Sequence, residues 1–470
     1  MSCNDRICAT RRDMIKMGLG GLTWGAFGFS LPNFLFMREA TAAIPQDPTI
    51  QRYDAMIQIF FEGGPSQTDT WDVKPGSKNQ VFKTIDTGAK DVYNNPFMIS
   101  EVFPGIAGLL NDPAFGLGVI RSLNHGNGDH GTAEEMMNCF WGVPALATQY
   151  PSTAAAMAYY FQGTGLGIPS VVINGGNGNN ANDAKGSTCP TALNVQVGNN
   201  QGANPTVQEL SMPTGVTAAR YALRQRLQQD VNKNILATRP DLVAKQYDKA
   251  WNDAYNITVQ GVAAKAFDLT GKTILPGATS SAGNPASPDG GTLQALTLAQ
   301  NLITAGIPFV SCGIGGNDSH SGNRQTIQDN WGATIDPAVT QMAKNLKATG
   351  KKVLITMFGE FGRTPDTTNG GRDGRDHDPE HVTFAMVSVN QPNFKTTAIG
   401  DTGPDGMFTV GSNNLKDPMY LKDIGGLLYT SMGFLPGNSP TTDIPTAIRA
   451  APPVDRVNNS ALLLKTFGLG

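Results

Sequence analysis

Histidine is scarce in this chain of 470 residues: there are five, in three places, His125 and His130, then His320, then His377 and His381. Each place holds aspartate close by, in Asn124-His125-Gly126-Asn127-Gly128-Asp129-His130, Asp318-Ser319-His320 and Asp376-His377-Asp378-Pro379-Glu380-His381. Neutral imidazole with carboxylate is a ligand set for zinc, manganese or iron, and a pair of such ions suits phosphoryl-type hydrolysis. Any single pair reads equally well as a solvated histidine beside a turn-forming aspartate. All five together, flanked by glycines that let backbone approach closely, favour a metal site.

Two further segments could carry chemistry. Glu62-Gly63-Gly64-Pro65-Ser66-Gln67-Thr68-Asp69-Thr70-Trp71-Asp72 offers hydroxyls and carboxylates, or simply a tight turn with an N-cap at Ser66 or Thr68. Phe358-Gly359-Glu360-Phe361-Gly362-Arg363-Thr364-Pro365 places an arginine where it could clamp an anionic substrate in a bidentate contact, or serve a structural ion pair.

These residues must be positioned by the elements before them. Ala55–Phe61 is a compact apolar run closed by glycine and proline, and reads as a buried strand. Leu117–Arg121, ending at Ser122, reads likewise, as do Ser170–Ile173, Pro308–Ser311, Lys352–Phe358 and Thr383–Val389. Helical patterns fall at 132–141, 216–236, 240–269 (with Pro240 in the first turn), 293–305 and 336–349. The Asn/Gly-rich stretch 174–205 and the Gly/Ser/Pro-rich stretch 274–291 read as long surface loops. Strands alternating with helices predict a mainly parallel sheet covered on both faces. The layout is one large α/β domain, residues 44–470, with a helical insertion at about 207–270. In such sheets ligands bind in the loops after the carboxyl ends of strands, where the histidines lie.

The N-terminus reads as an export signal. Arg11-Arg12 is followed by Met14 and Lys16, an apolar glycine-rich stretch runs from Met17 to about Phe36, and Ala40-Thr41-Ala42-Ala43 offers a cleavage site. The stretch is nearly long enough to anchor in a bilayer, but its glycines, Pro32 and the small-residue exit favour removal of residues 1–43. Those residues carry five basic and three acidic side chains, so a chain of net charge −3 becomes −5 on their removal. No basic run survives, which argues against a nucleic-acid partner. The chain would then act in the periplasm or outside the cell, after passage through the twin-arginine machinery, with no stable membrane anchor. Cys139, Cys189 and Cys312 are too few and too dispersed for a disulfide framework.

Taken in order, the segments 62–72, Ile120-Arg121-Ser122-Leu123-Asn124-His125, His130, Asp318-Ser319-His320, Glu360–Pro365 and Gly374-Arg375-Asp376-His377 resemble an uncharacterised bacterial family. Its members are twin-arginine-exported, sulfatase-like proteins of the alkaline phosphatase superfamily, and the resemblance covers nearly the whole chain. It implies a three-layer α/β/α sandwich with two divalent metals at the carboxyl edge of the sheet (zinc, manganese and calcium not distinguished by sequence). It also implies a serine, threonine or formylglycine nucleophile that attacks an anionic phosphate or sulfate ester.

By this resemblance Asp318 and His320 bind one metal, Asp376 and His377 the other, and His381 is the nearest candidate for a final histidine. The superfamily's metal-binding aspartate after the first strand is missing; Glu62 or Asp69 stands closest to its place. Cys139 falls inside a predicted helix and Cys189-Pro190-Thr191 lacks the sulfatase arginine, which argues against formylglycine. Ser122 is then the first choice of nucleophile, with Ser66 and Thr132 behind it. His125 or His130 would protonate the leaving group and Arg363 would hold the anion. The competing reading is a periplasmic or surface binding protein that has kept the fold and lost the chemistry.

Overall fold

A computed structural model describes residues 50–77, 80–140, 152–161, 168–175, 193–197, 262–278, 290–365, 373–406, 418–433 and 460–470, with scattered helical positions between 217 and 233. The export signal at 1–43, most of the helical segments between 216 and 269 and most of both long loops lie outside the described residues. The chain divides into two compact units, one comprising Met1–Arg38 and Val207–Ala264, the other Glu39–Thr206 and Lys265–Gly470. The described positions of the first unit between 219 and 233 are helical. Every element below belongs to the second.

Among the described residues thirteen strands run in chain order: β1 (Ala55–Phe61), β2 (Thr84–Lys90), β3 (Pro96–Ser100), β4 (Phe115–Asn124), β5 (Ser170–Gly175), β6 (Leu193–Val197), β7 (Phe309–Ile314), β8 (Val353–Gly359), β9 (Gly362–Arg363), β10 (His377–Asp378), β11 (Val382–Val389), β12 (Thr397–Ile399) and β13 (Met419–Tyr420). Nine form one sheet in the order β12-β4-β11-β8-β1-β7-β5-β6, with β13 also on β4. All pairings in it are parallel except those of β11, which runs antiparallel to both β4 and β8.

The sequence of β1 explains its central place. All seven residues are buried, as expected of a strand covered on both faces. Met56 and Phe60 join a core with Met136, Met157, Leu427 and Leu463, from the helices His130–Cys139, Thr153–Tyr160, Leu421–Ser431 and Ser460–Thr466. On the opposite face Phe61 packs on Trp331, ring centroids 4.2 Å apart. Trp331 lies on a π-helix, Ile327–Ile335, that leads into the helix Asp336–Lys347. Helices therefore cover both faces and the protein is a three-layer α/β/α sandwich.

Two expectations are corrected and one element is new. The second predicted strand does not end at Ser122 but continues to Asn124, so Ser122 is a fully buried strand residue. The stretch 174–205 is not all loop: Leu193–Val197 extends the sheet by pairing with β5. The antiparallel hairpin β2–β3 was not foreseen, because Thr84-Ile85-Asp86-Thr87-Gly88-Ala89-Lys90 has too little apolar alternation to signal a strand.

Candidate metal centre

The carboxyl ends of β1, β4, β7 and β8 open onto one rim, and β11, running the other way, begins there. All five histidines sit in the segments that follow β4 and β7 or precede β11. Among the described residues two sets of side chains bring metal-binding atoms within 4.8 Å of one another. The first is His130, Asp318, His320 and His377; the second is His130, Glu134 and Glu360.

The orientation of the imidazoles is set by their outer partners. His130 Nδ1 lies 2.8 Å from Glu360 Oε1, His320 Nδ1 3.2 Å from Asp376 Oδ1, and His377 Nδ1 2.8 Å from the Gly128 carbonyl oxygen. Each partner only accepts, so each Nδ1 carries the proton and each Nε2 its lone pair. Those Nε2 atoms converge. His320 Nε2 is 3.0 Å from His377 Nε2 and 3.3 Å from Asp318 Oδ1, His377 Nε2 is 3.9 Å from Asp318 Oδ1, and His130 Nε2 is 3.7 Å from Asp318 Oδ2. Donors about 2.0–2.1 Å from a tetrahedral ion stand roughly 3.3 Å apart, so these separations fit one cation. The backing acceptors match the carboxylate–histidine arrangement usual around protein metals.

Packing holds the set in place. The ring of Phe361, fully buried, stacks on His377 at 4.1 Å and lies 4.9 Å from His130. Gly63, at φ +103°, lets the turn after β1 pass against the backbone of Asn317 and Asp318, where a Cβ would collide. Trp331 Nε1 donates to Asn317 Oδ1 at 3.1 Å, so the π-helix supports the Asp318 loop from beneath. Trp331 in turn meets Trp71 and Phe103, which stack on each other at 4.0 Å. The rim itself is open: the side chains of His130, Asp318 and His320 are 38, 47 and 47 % exposed.

Burial and neighbouring charge shift the titratable groups of the rim in opposite directions. Burial pushes the Asp318 carboxyl up, but the hydrogen bond and charge of Arg363, helped by His320 and His130, hold it below the usual carboxylate range. The Glu360 hydrogen bond raises the His130 pKa, whereas burial lowers that of His377.

Several predicted roles do not survive this geometry. Arg363 is fully buried; Nη2 donates to Asp318 Oδ1 at 2.6 Å and to Gly63 O, Nε to Gly64 O at 3.0 Å, and Nη1 to Arg375 O at 3.1 Å. With its donors so occupied it braces the site from within and is no substrate clamp. Asp69 is turned inward by the 3₁₀ turn Gln67–Asp69, where Arg375 at 3.2 Å, Ser66 Oγ at 2.6 Å and Asn323 Nδ2 at 2.8 Å surround it. It belongs to neither ligand set. His381 is buried with Nδ1 on Asp378 at 2.7 Å, also outside both sets, and Asp376 stands behind His320 as its acceptor.

The proposed nucleophiles and acid fare similarly. Ser122 is packed against Gly400, whose missing Cβ makes room for Oγ, and Ser66 is buried on Asp69. Thr132 donates its amide N–H to Asp129 Oδ1 at 2.9 Å at the start of the helix His130–Cys139, and its side chain hydrogen-bonds the same carboxylate. His125 donates Nε2–H to the Glu360 carbonyl at 2.5 Å and is depressed in pKa by burial, so it fastens a loop. The sequence reading missed the roles of Glu360, Glu134 and the Gly128 carbonyl. Glu134 was signalled by its i+4 spacing from His130 on one helix face, and Glu360 by its place directly after β8.

Fold and site together define an α/β/α protein with a cluster of imidazole and carboxylate groups that could hold a metal ion at the carboxyl edge of its sheet. The chain belongs to the family described as Protein of unknown function (DUF1501), whose model matches residues 53–388. No curated protein sequence matches it. Among solved structures it is similar to the C-terminal periplasmic domain of EcEptC from Escherichia coli in complex with Zn, at 10% identity and TM-score 0.34 over 74% of this chain and 78% of that one. It is also similar to the phosphoglycerol transferase GacH of Streptococcus pyogenes, at 10% identity and TM-score 0.32 over 99% of each chain. The alkaline phosphatase of the Antarctic bacterium TAB5 matches at 12% identity and TM-score 0.28, over 76% of this chain and 96% of that one.

Proposed function

We propose that this protein is an exported, metal-dependent hydrolase of phosphate or sulfate esters. One observation carries the reading: three imidazole Nε2 atoms and a carboxylate, from three separate segments, converge on a solvent-open rim with every Nδ1 tied to an acceptor. His130, Asp318, His320 and His377 would hold a divalent cation. When bound, it supplies Lewis-acid polarisation of an anionic ester and acidifies a water. Glu360, Asp376 and the Gly128 carbonyl keep the imidazoles in the ligating tautomer, and Arg363 fixes the Asp318 carboxylate. With Ser122 and Ser66 enclosed and the Thr132 side chain hydrogen-bonded to Asp129, the hydroxyl attacking the ester would come from solvent at the rim.

Export rests on Arg11-Arg12, the apolar stretch that follows and the small-residue exit at 40–43. Among the described residues no helix is long and apolar enough to cross a membrane.

Metal content of the purified chain, followed by turnover of aryl phosphate and aryl sulfate panels with the metal restored, tests the proposal. Metal-dependent release of the aryl alcohol is expected. The enclosed hydroxyls favour a second reading, a binding protein that uses the metal to hold an anionic ligand. Anion binding to the metal-loaded chain with no turnover on any ester would select it.

A further inference from the structure

We infer that the centre is mononuclear: one divalent cation on His130, Asp318, His320 and His377, with the buried guanidinium of Arg363 supplying the positive charge that a second cation would otherwise bring. This rests on the metal-centre reading above and departs from the two-metal expectation drawn from the family resemblance.

The ligand supply leads there. A neutral imidazole has one lone pair, and Nδ1 of His130, His320 and His377 is spent on Glu360, Asp376 and Gly128 O, so each ring offers Nε2 alone. The three Nε2 atoms face one common point beside Asp318, not two. The residues expected to serve a second ion are diverted. Asp69 is neutralised by Arg375 within a buried network, and His381 is turned to Asp378. Asp376 presents an oxygen to His320.

The second ligand set, His130 with Glu134 and Glu360, does not add a second position. To use it His130 must surrender the Nδ1 proton it gives to Glu360, and Glu360 Oε1 already accepts from the Gly63 amide at 2.7 Å. Nor can Asp318 bridge two cations while Arg363 Nη2 sits 2.6 Å from its Oδ1, since a second ion on that oxygen would meet the guanidinium charge at close range. The arginine is fully buried and held by three backbone carbonyls, so it does not swing away.

The test is stoichiometry on the purified full chain, stripped with chelator and titrated with Zn²⁺, with bound metal counted after gel filtration. One ion per chain is expected, falling to none in His377→Ala and staying at one in Asp69→Asn and Glu134→Gln. Loading with Mn²⁺ gives an independent readout: an isolated-ion EPR spectrum is expected, without the exchange coupling of a close pair. Two ions per chain with a coupled Mn²⁺ spectrum overturn the inference and leave the hydrolase proposal standing; no bound metal overturns both. Circular dichroism of each variant separates loss of ligand from loss of fold.

Discussion

His320 Nε2 and His377 Nε2 stand 3.0 Å apart, although each ring donates its other nitrogen to an acceptor behind it. Two lone pairs at that distance repel unless a proton or a cation lies between them. Removing one of the rings should therefore remove what the pair binds. His377→Ala is expected to abolish the metal-dependent rise in melting temperature. In the parent chain, metal at a hundred times its dissociation constant should stabilise by about 2.7 kcal/mol. Thermal melts with and without Zn²⁺ check this.

Glu360 aligns His130 through Nδ1. Glu360→Gln should weaken metal affinity by roughly 10–100-fold, the usual effect of losing such an outer partner, while the fold persists. Competition with a coloured chelator measures it.

The same contact gives a pH dependence of definite sign. Glu360 holds the His130 pKa above its ordinary value of about 6.5, so a proton competes for the ring there. Metal affinity should be full at pH above that raised value and fall as pH drops through it. In Glu360→Gln the fall should move to lower pH. A shift in the other direction would sink the assignment of His130 as a ligand.

Gly63→Ala should cost more than about 1 kcal/mol, since φ there is +103° and the new Cβ would strike the backbone of Asp318. Chemical denaturation gives the number. Metal affinity should fall in the same variant because the displaced loop carries a ligand.

Ser122→Ala is expected to leave ester turnover unchanged, because the hydroxyl is sealed against Gly400 inside β4. Loss of turnover with retained metal and fold would restore it as the nucleophile.

Much of this protein is legible from sequence because it is locally encoded. A short run such as Ala55–Phe61, apolar but for Gln58 and closed by glycine and proline, suits a strand buried on both faces, and the glycine-flanked histidine segments then hang from the sheet's edge. That Asp318, His320 and His377 could share one site follows from that reasoning. Tertiary structure alone decided the rest. Asp69 and His381 have the right chemistry, yet Arg375 and Asp378 claim them. His130 is joined to the site by Glu360, 230 residues away along the chain. Arg363, suited by type to grip an anion, is drawn inside by the carbonyls of Gly63 and Gly64, which lie about 300 residues earlier. A side chain's type fixes which bonds it can make; which it does make depends on the partners that folding brings within about 3 Å, and those come from distant sequence.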